Sequence, residues 1–121
     1  MENHFERLAD QGALENWIAR SYREPVMIFK HSNACGVSAR AYAEMSKVDR
    51  PVGLVTVQTE RDVSDEIETR FNLAHETPQA LVLRNSEIVW SGSHGQITSN
   101  ALFAAVEKAN TIEQKVQTGH E

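Results

Sequence analysis

The chain has 121 residues, 40% hydrophobic and 24% charged, which suits one globular domain over residues 1–121 and argues against disorder. Its 17 acidic against 12 basic residues, a formal net charge of -5, argue against nucleic acid and against adhesion to a membrane surface, since both need concentrated Lys and Arg. No apolar run approaches a membrane span, "MENHFERLAD" lacks the basic start and apolar core of a signal peptide, and one cysteine cannot close an internal disulfide, so a reducing cytoplasm is the expected compartment.

Phe5 to Leu8 reads as a short edge strand. Residues 11–22 place Leu14, Trp17, Ile18 and Tyr22 at helical spacing, and Pro25 stops that helix because it lacks an N–H. "VMIFK" is a short continuous apolar run, the habit of a strand covered on both faces. From Cys35 onward Val37, Ala41, Met45 and Val48 recur at three- and four-residue steps, which predicts a second helix with Ser32 or Asn33 as its cap. Asp49-Arg50-Pro51 closes it, and "VGLVTVQ" is another buried-type strand. Residues 62–73 put Val63, Ile67, Phe71 and Leu73 on a third helix whose acidic residues favour its N-terminal half. After Thr77-Pro78, "QALVLR" and "EIVWSG" read as a hairpin turning at Asn85-Ser86. Thr98 then caps a last helix with Leu102, Ala105, Val106, Ala109 and Ile112 turned inward. Strand–helix–strand crossovers followed by a hairpin and a helix predict an α/β, thioredoxin-like fold: a mixed central β-sheet with helices on both faces.

The one cysteine falls where the first buried strand gives way to the second helix. Free N–H groups and the positive dipole end at a helix start stabilise an anion, so a thiol there becomes a better nucleophile. Cys35-Gly36-Val37-Ser38 has the Cys-x-x-Cys spacing with serine last. The Gly36 and Val37 N–H groups and the Ser38 hydroxyl can serve a thiolate, but serine cannot complete an internal disulfide, so the expected chemistry is monothiol. The competing reading is an inert cysteine that packs as a small hydrophobe in a structural domain.

Pro78 carries two readings as well: a cis proline at a strand start facing the thiol, with Thr77 offering its backbone to an extended substrate, or an ordinary trans proline. His31, four residues before Cys35, is either an ion-pair partner for the thiolate or a polar strand end. His94, in "SGSHGQIT", is either a substrate contact or a solvated loop residue, and His75 has the same ambiguity. No pair has the Cys-x-x-Cys or His-x-x-x-His spacing of a metal site, so zinc held by Cys35 with His31, His75 and His94 is not expected. Trp17 and Trp90 read as packing residues.

The segments "IFKHSNACGVSARAY" and "ETPQALVLRNSEIVWSGSHGQIT", with the helix after them, resemble the YtxJ-like proteins, the monothiol bacilliredoxin family. The likeness runs from about Leu14 to Ala109, and the ordered pair FKHS-x-x-C and TPQ…SH-x-x-IT carries it. The resemblance implies a cytosolic thioredoxin-fold protein that works with bacillithiol, the low-molecular-weight thiol some bacteria use in place of glutathione. On it, the active cysteine falls on Cys35 and the pattern proline on Pro78, while His31, Ser32 and Ser93-His94 match pattern positions. It further implies bacillithiolated client proteins as partners, bacillithiol as co-substrate and no tightly bound cofactor. One position departs: proline usually follows the cysteine in this family, and here it is Gly36. That makes the motif similar to the Cys-Gly-Phe-Ser of monothiol glutaredoxins, which bind an iron–sulfur cluster with glutathione, the alternative function. The Gly-Gly and Asp-Asp features that hold glutathione in those proteins are missing from "SGSHGQITSN".

Overall fold

The computed structural model describes residues 4–34 and 36–115. In chain order the elements are β1 (Phe5–Arg7), α1 (Gln11–Arg20), β2 (Val26–His31), α2 (Gly36–Ser46), β3 (Val52–Thr56), α3 (Arg61–Phe71), β4 (Gln79–Arg84), β5 (Glu87–Ser93), a 3-10 turn (His94–Gln96) and α4 (Ser99–Asn110). They build one five-stranded sheet in the order β1-β3-β2-β4-β5. β1, β3 and β2 run parallel, and β4 joins β2, and β5 joins β4, antiparallel. This is the mixed sheet of a thioredoxin-like fold.

β2 lies at the centre, and its alternation explains the continuous apolar run. Met27 and Phe29 point to one face, where they pack with Ala41 and Met45 of α2 and with Leu102 and Val106 of α4. Val26 and Ile28 point to the other, against Leu14, Trp17 and Ile18 of α1 and Val63 and Ile67 of α3. Each such side chain contributes about 1.5–3 kcal/mol on burial, so a strand buried on both faces is worth more than any amphipathic edge. Asp10 starts α1 by accepting from the Ala13 N–H at 2.9 Å, and Thr98 starts α4 by accepting from Ala101 N–H at 3.1 Å. The β4–β5 hairpin turns at Asn85 (φ 57°) and Ser86 (φ 66°), the two left-handed residues of a two-residue loop.

Several element ends differ from expectation: α4 closes at Asn110, which leaves Ile112 beyond it with its N–H on Ala109 O at 3.1 Å, and others are set by a hydrogen bond or a backbone angle. α1 ends at Arg20, short of Tyr22: the Ser21 hydroxyl turns back onto Ile18 O at 2.6 Å, and Ser21 O is taken by the Asn85 N–H at 2.7 Å. β3 ends at Thr56 rather than Gln58, since Thr59 and Glu60 both donate back to Thr56 O at 3.0 and 2.8 Å. α3 stops at Phe71 because Asn72 is left-handed (φ 50°), which leaves Leu73 beyond the cap; in its first turn the only acidic residue is Asp62. α2 begins at Gly36, and the Ser32 hydroxyl accepts from the Ala34 N–H at 3.2 Å just ahead of it.

Candidate active site

The C-terminal end of β2 and the N-terminal end of β4 meet because the two strands are antiparallel, with Lys30 opposite Gln79. That register brings the junction between β2 and α2 beside Thr77-Pro78. The Thr77–Pro78 peptide bond is cis. Pro78 O accepts the His94 N–H at 3.1 Å, so the 3-10 turn is tied to the same place. Three segments far apart in sequence, 32–34 with Gly36, 77–78 and 94–95, thus share one end of the sheet.

Cys35 and the side chain of Val37, both expected at the site, lie outside the described residues. Gly36 is the first residue of α2 and has open space where a Cβ would stand. Ser38 is buried, and its Oγ accepts the Ser32 N–H at 3.2 Å, which leaves its own O–H to donate elsewhere. A groove of about 440 Å³ opens between Gly36 and Arg40 on one side and His94 and Gly95 on the other. On the next face of α2, a hollow of about 240 Å³ is lined by His31, Ser32, Asn33, Ala39 and Tyr42. Thr77 is half-buried and Pro78 buried.

His31 is engaged as a polar strand end. Its Nε2 lies 3.1 Å from Thr56 Oγ1, and its ring packs at 5.4 Å from Phe29 and 5.6 Å from Tyr42. Burial lowers its pKa, with Glu60 opposing, which favours the neutral ring over the imidazolium. His94 is left-handed (φ 53°) and exposed, with Nε2 3.9 Å from Glu76 Oε1, an exposed pair of little energetic weight. His75 Nδ1 lies 2.9 Å from Lys30 Nζ. The three histidines are thus turned to three different partners. Among the described residues no group of three His, Asp or Glu is arranged to hold a metal.

Several contributors escaped the sequence reading. Gln58 donates to Ser32 Oγ at 2.6 Å and accepts the Asn33 N–H at 3.3 Å, fixing the chain just before Cys35 from the turn after β3. Nothing in the spacing announces it, because the two segments lie 25 residues apart. Arg40 was legible in principle: it lies four residues after Gly36, on the same helix face. Lys30 reads as a strand end but is wholly buried.

A model of the family described as "Monothiol bacilliredoxin BrxC" matches residues 6–102. A solved structure described as a candidate oxidoreductase with a thioredoxin fold is similar at 35% identity and TM-score 0.78, covering 84% of this chain and 93% of that one. Thioredoxin from Fasciola hepatica is similar at 13% identity and TM-score 0.67, covering 86% of this chain and 98% of that one. Mitochondrial thioredoxin 3 from Saccharomyces cerevisiae is similar at 14% identity and TM-score 0.68, covering 86% and 94%. The last two speak to the fold alone.

Proposed function

The chain belongs to the monothiol bacilliredoxin family and is a thiol–disulfide oxidoreductase, and from that premise we propose that Cys35 removes bacillithiol, or a similar low-molecular-weight thiol, from protein mixed disulfides. The observation that supports this most is the meeting of the β2–α2 junction with Thr77-Pro78 at one end of the sheet. The proposal puts the nucleophile on that junction, opposite a backbone segment able to dock an extended client.

The Cys35 thiolate attacks the sulfur of the small thiol in the mixed disulfide. A Cys35–small-thiol disulfide forms, the original S–S bond breaks, and the client cysteine leaves as a thiolate that takes a proton from water. A second thiol molecule then attacks the Cys35 adduct. It carries the small thiol away as a disulfide, supplies the two electrons and restores Cys35. The helix-start N–H groups of Gly36 and Val37 and the Ser38 hydroxyl favour the thiolate. Thr77 and Pro78 dock the client backbone, and His94 faces the small-thiol side of the groove with Arg40. His31 shapes the adjoining hollow as a neutral ring. The small thiol is co-substrate, and no tightly held cofactor takes part.

The test is mass spectrometry on a client peptide carrying the adduct. The wild-type chain strips the peptide and gains the adduct mass on Cys35, and a second thiol removes it. A Cys35→Ser chain that still clears the peptide above the uncatalysed rate overturns the reading.

A further inference from the structure

Lys30 follows Phe29 at the end of the central strand and points to the same face as Val26 and Ile28, toward α1 and α3. Its exposure is 0%. An ammonium group has three donors to satisfy, and burying it costs heavily unless it is bonded, so plain packing would favour an aliphatic side chain. The bond it makes is to His75 Nδ1, at 2.9 Å. Its cross-strand neighbour Gln79, also buried, donates Nε2 to Ala74 O at 3.0 Å, and Gln79 Oε1 has no partner among the described residues. Two buried polar side chains therefore reach from the sheet to consecutive residues, 74 and 75, of the segment that leads into Thr77-Pro78.

We propose that Lys30 is a positioning residue for substrate docking: through His75, and together with Gln79 on Ala74, it holds the 74–78 segment in register with the thiol site. This rests on the docking role given above to Thr77 and Pro78. The ammonium donates and the imidazole Nδ1 accepts. Deprotonating Lys30 replaces a charge-assisted bond by a weaker neutral one, and protonating His75 Nδ1 removes the acceptor. Burial lowers the Lys30 pKa to about 8, while Glu68 and Asp65 of α3 and Glu76 of the segment itself pull it back up. Asp65, Glu68 and His75 also line a hollow of about 300 Å³ beside the pair, with the cationic Arg61 on its wall. The hold therefore loosens as pH rises through about 8.

The test measures exchange at Cys35 with two disulfides, a small symmetric one and a peptide mixed disulfide long enough to use the docking segment. Dividing the peptide rate by the small-disulfide rate at each pH cancels the thiol's own titration. In Lys30→Met the peptide rate falls roughly fivefold to tenfold through KM, while the small-disulfide rate stays within about twofold. His75→Ala, at an exposed position that spares the core, gives the same loss, and the double variant loses no more than either single one. The wild-type ratio drops above about pH 8, and the Lys30→Met ratio is flat with pH. Amide exchange at residues 74–77 rises in both single variants. Equal losses on both substrates, no loss on either, or unchanged amide exchange overturn the proposal. A wild-type chain that reacts with neither disulfide defeats the exchange reading instead, and the amide-exchange result alone then decides whether Lys30 holds the segment.

Discussion

His31 and Lys30 are consecutive, face opposite sides of the sheet, and both are bases whose charged form burial disfavours. For His31 the consequence is measurable. Its folded pKa lies below the ordinary 6.5, so as pH falls the unfolded chain takes up its proton first. Stability from this residue is complete above pH 6.5 and is lost as pH drops from there through the lower folded pKa. Ring-carbon NMR of the folded protein is expected to give a His31 midpoint under 6.5, and His31→Gln is expected to flatten the acid limb of the stability curve. A midpoint at or above 6.5 would mean that a negative neighbour outweighs burial, and would restore the imidazolium–thiolate pair. The sequence offered His31 because of its spacing from Cys35. It offered no sign that Thr56, 25 residues on, would occupy the ring nitrogen. Lys30 was hidden for a similar reason: its burial comes from α3 and the segment after it, neither of which is near in sequence.

At the scale of elements, the start of α2 decides how well an anion is held there. Gly36 is the first helical residue, is exposed and has no positive φ, and a Cβ added to it would meet nothing within 4 Å. Both Gly36→Ala and Gly36→Pro are thus compatible with the backbone, since proline suits the first position of a helix. Each is expected to raise stability by about 0.5–1 kcal/mol by narrowing the unfolded ensemble, seen as a higher denaturation midpoint. They part on chemistry. Alanine keeps its N–H and proline has none, so the pH midpoint of Cys35 alkylation is expected to hold in Gly36→Ala and to rise in Gly36→Pro. Identical midpoints in both would remove the Gly36 N–H from the thiolate's support. The existence and type of α1 to α4 and β1 to β5 were legible from periodicity. Their ends were less so, because Ser21, Thr56 and Asn72 stop elements through bonds or backbone angles that periodicity does not carry.

For the whole molecule, the question is how far the scaffold can be weakened before the site feels it. The order of crossovers and hairpin was enough to foresee the mixed sheet, and with it the meeting of the β2–α2 junction with Thr77-Pro78. What it did not convey was where the layers are tightest. Gly53 sits in β3 between Glu6 of β1 and Ile28 of β2, and reads in sequence as a gap in an apolar run. A Cβ there would stand 2.8 Å from Trp17 Nε1 and 2.9 Å from Leu8 Cδ1. Trp17 cannot easily retreat: its Nε1 donates to Met27 O at 2.9 Å, and the Arg20 guanidinium lies 4.4 Å over its ring. Gly53→Ala is therefore expected to cost about 1–3 kcal/mol, as overpacking in a filled core does, with a lower denaturant midpoint, an unchanged slope and altered Trp fluorescence. Ile28, its neighbour in β2, precedes His31 by three residues, roughly 10 Å along the strand, and α2 packs on the opposite face of the sheet. The strain falls on the α1 side, so the alkylation midpoint of Cys35 in the folded fraction should not move. A midpoint that shifts with the loss of stability would show that the two layers are coupled through β2, and that the thiol site draws on the α1 packing as well as on the start of its own helix.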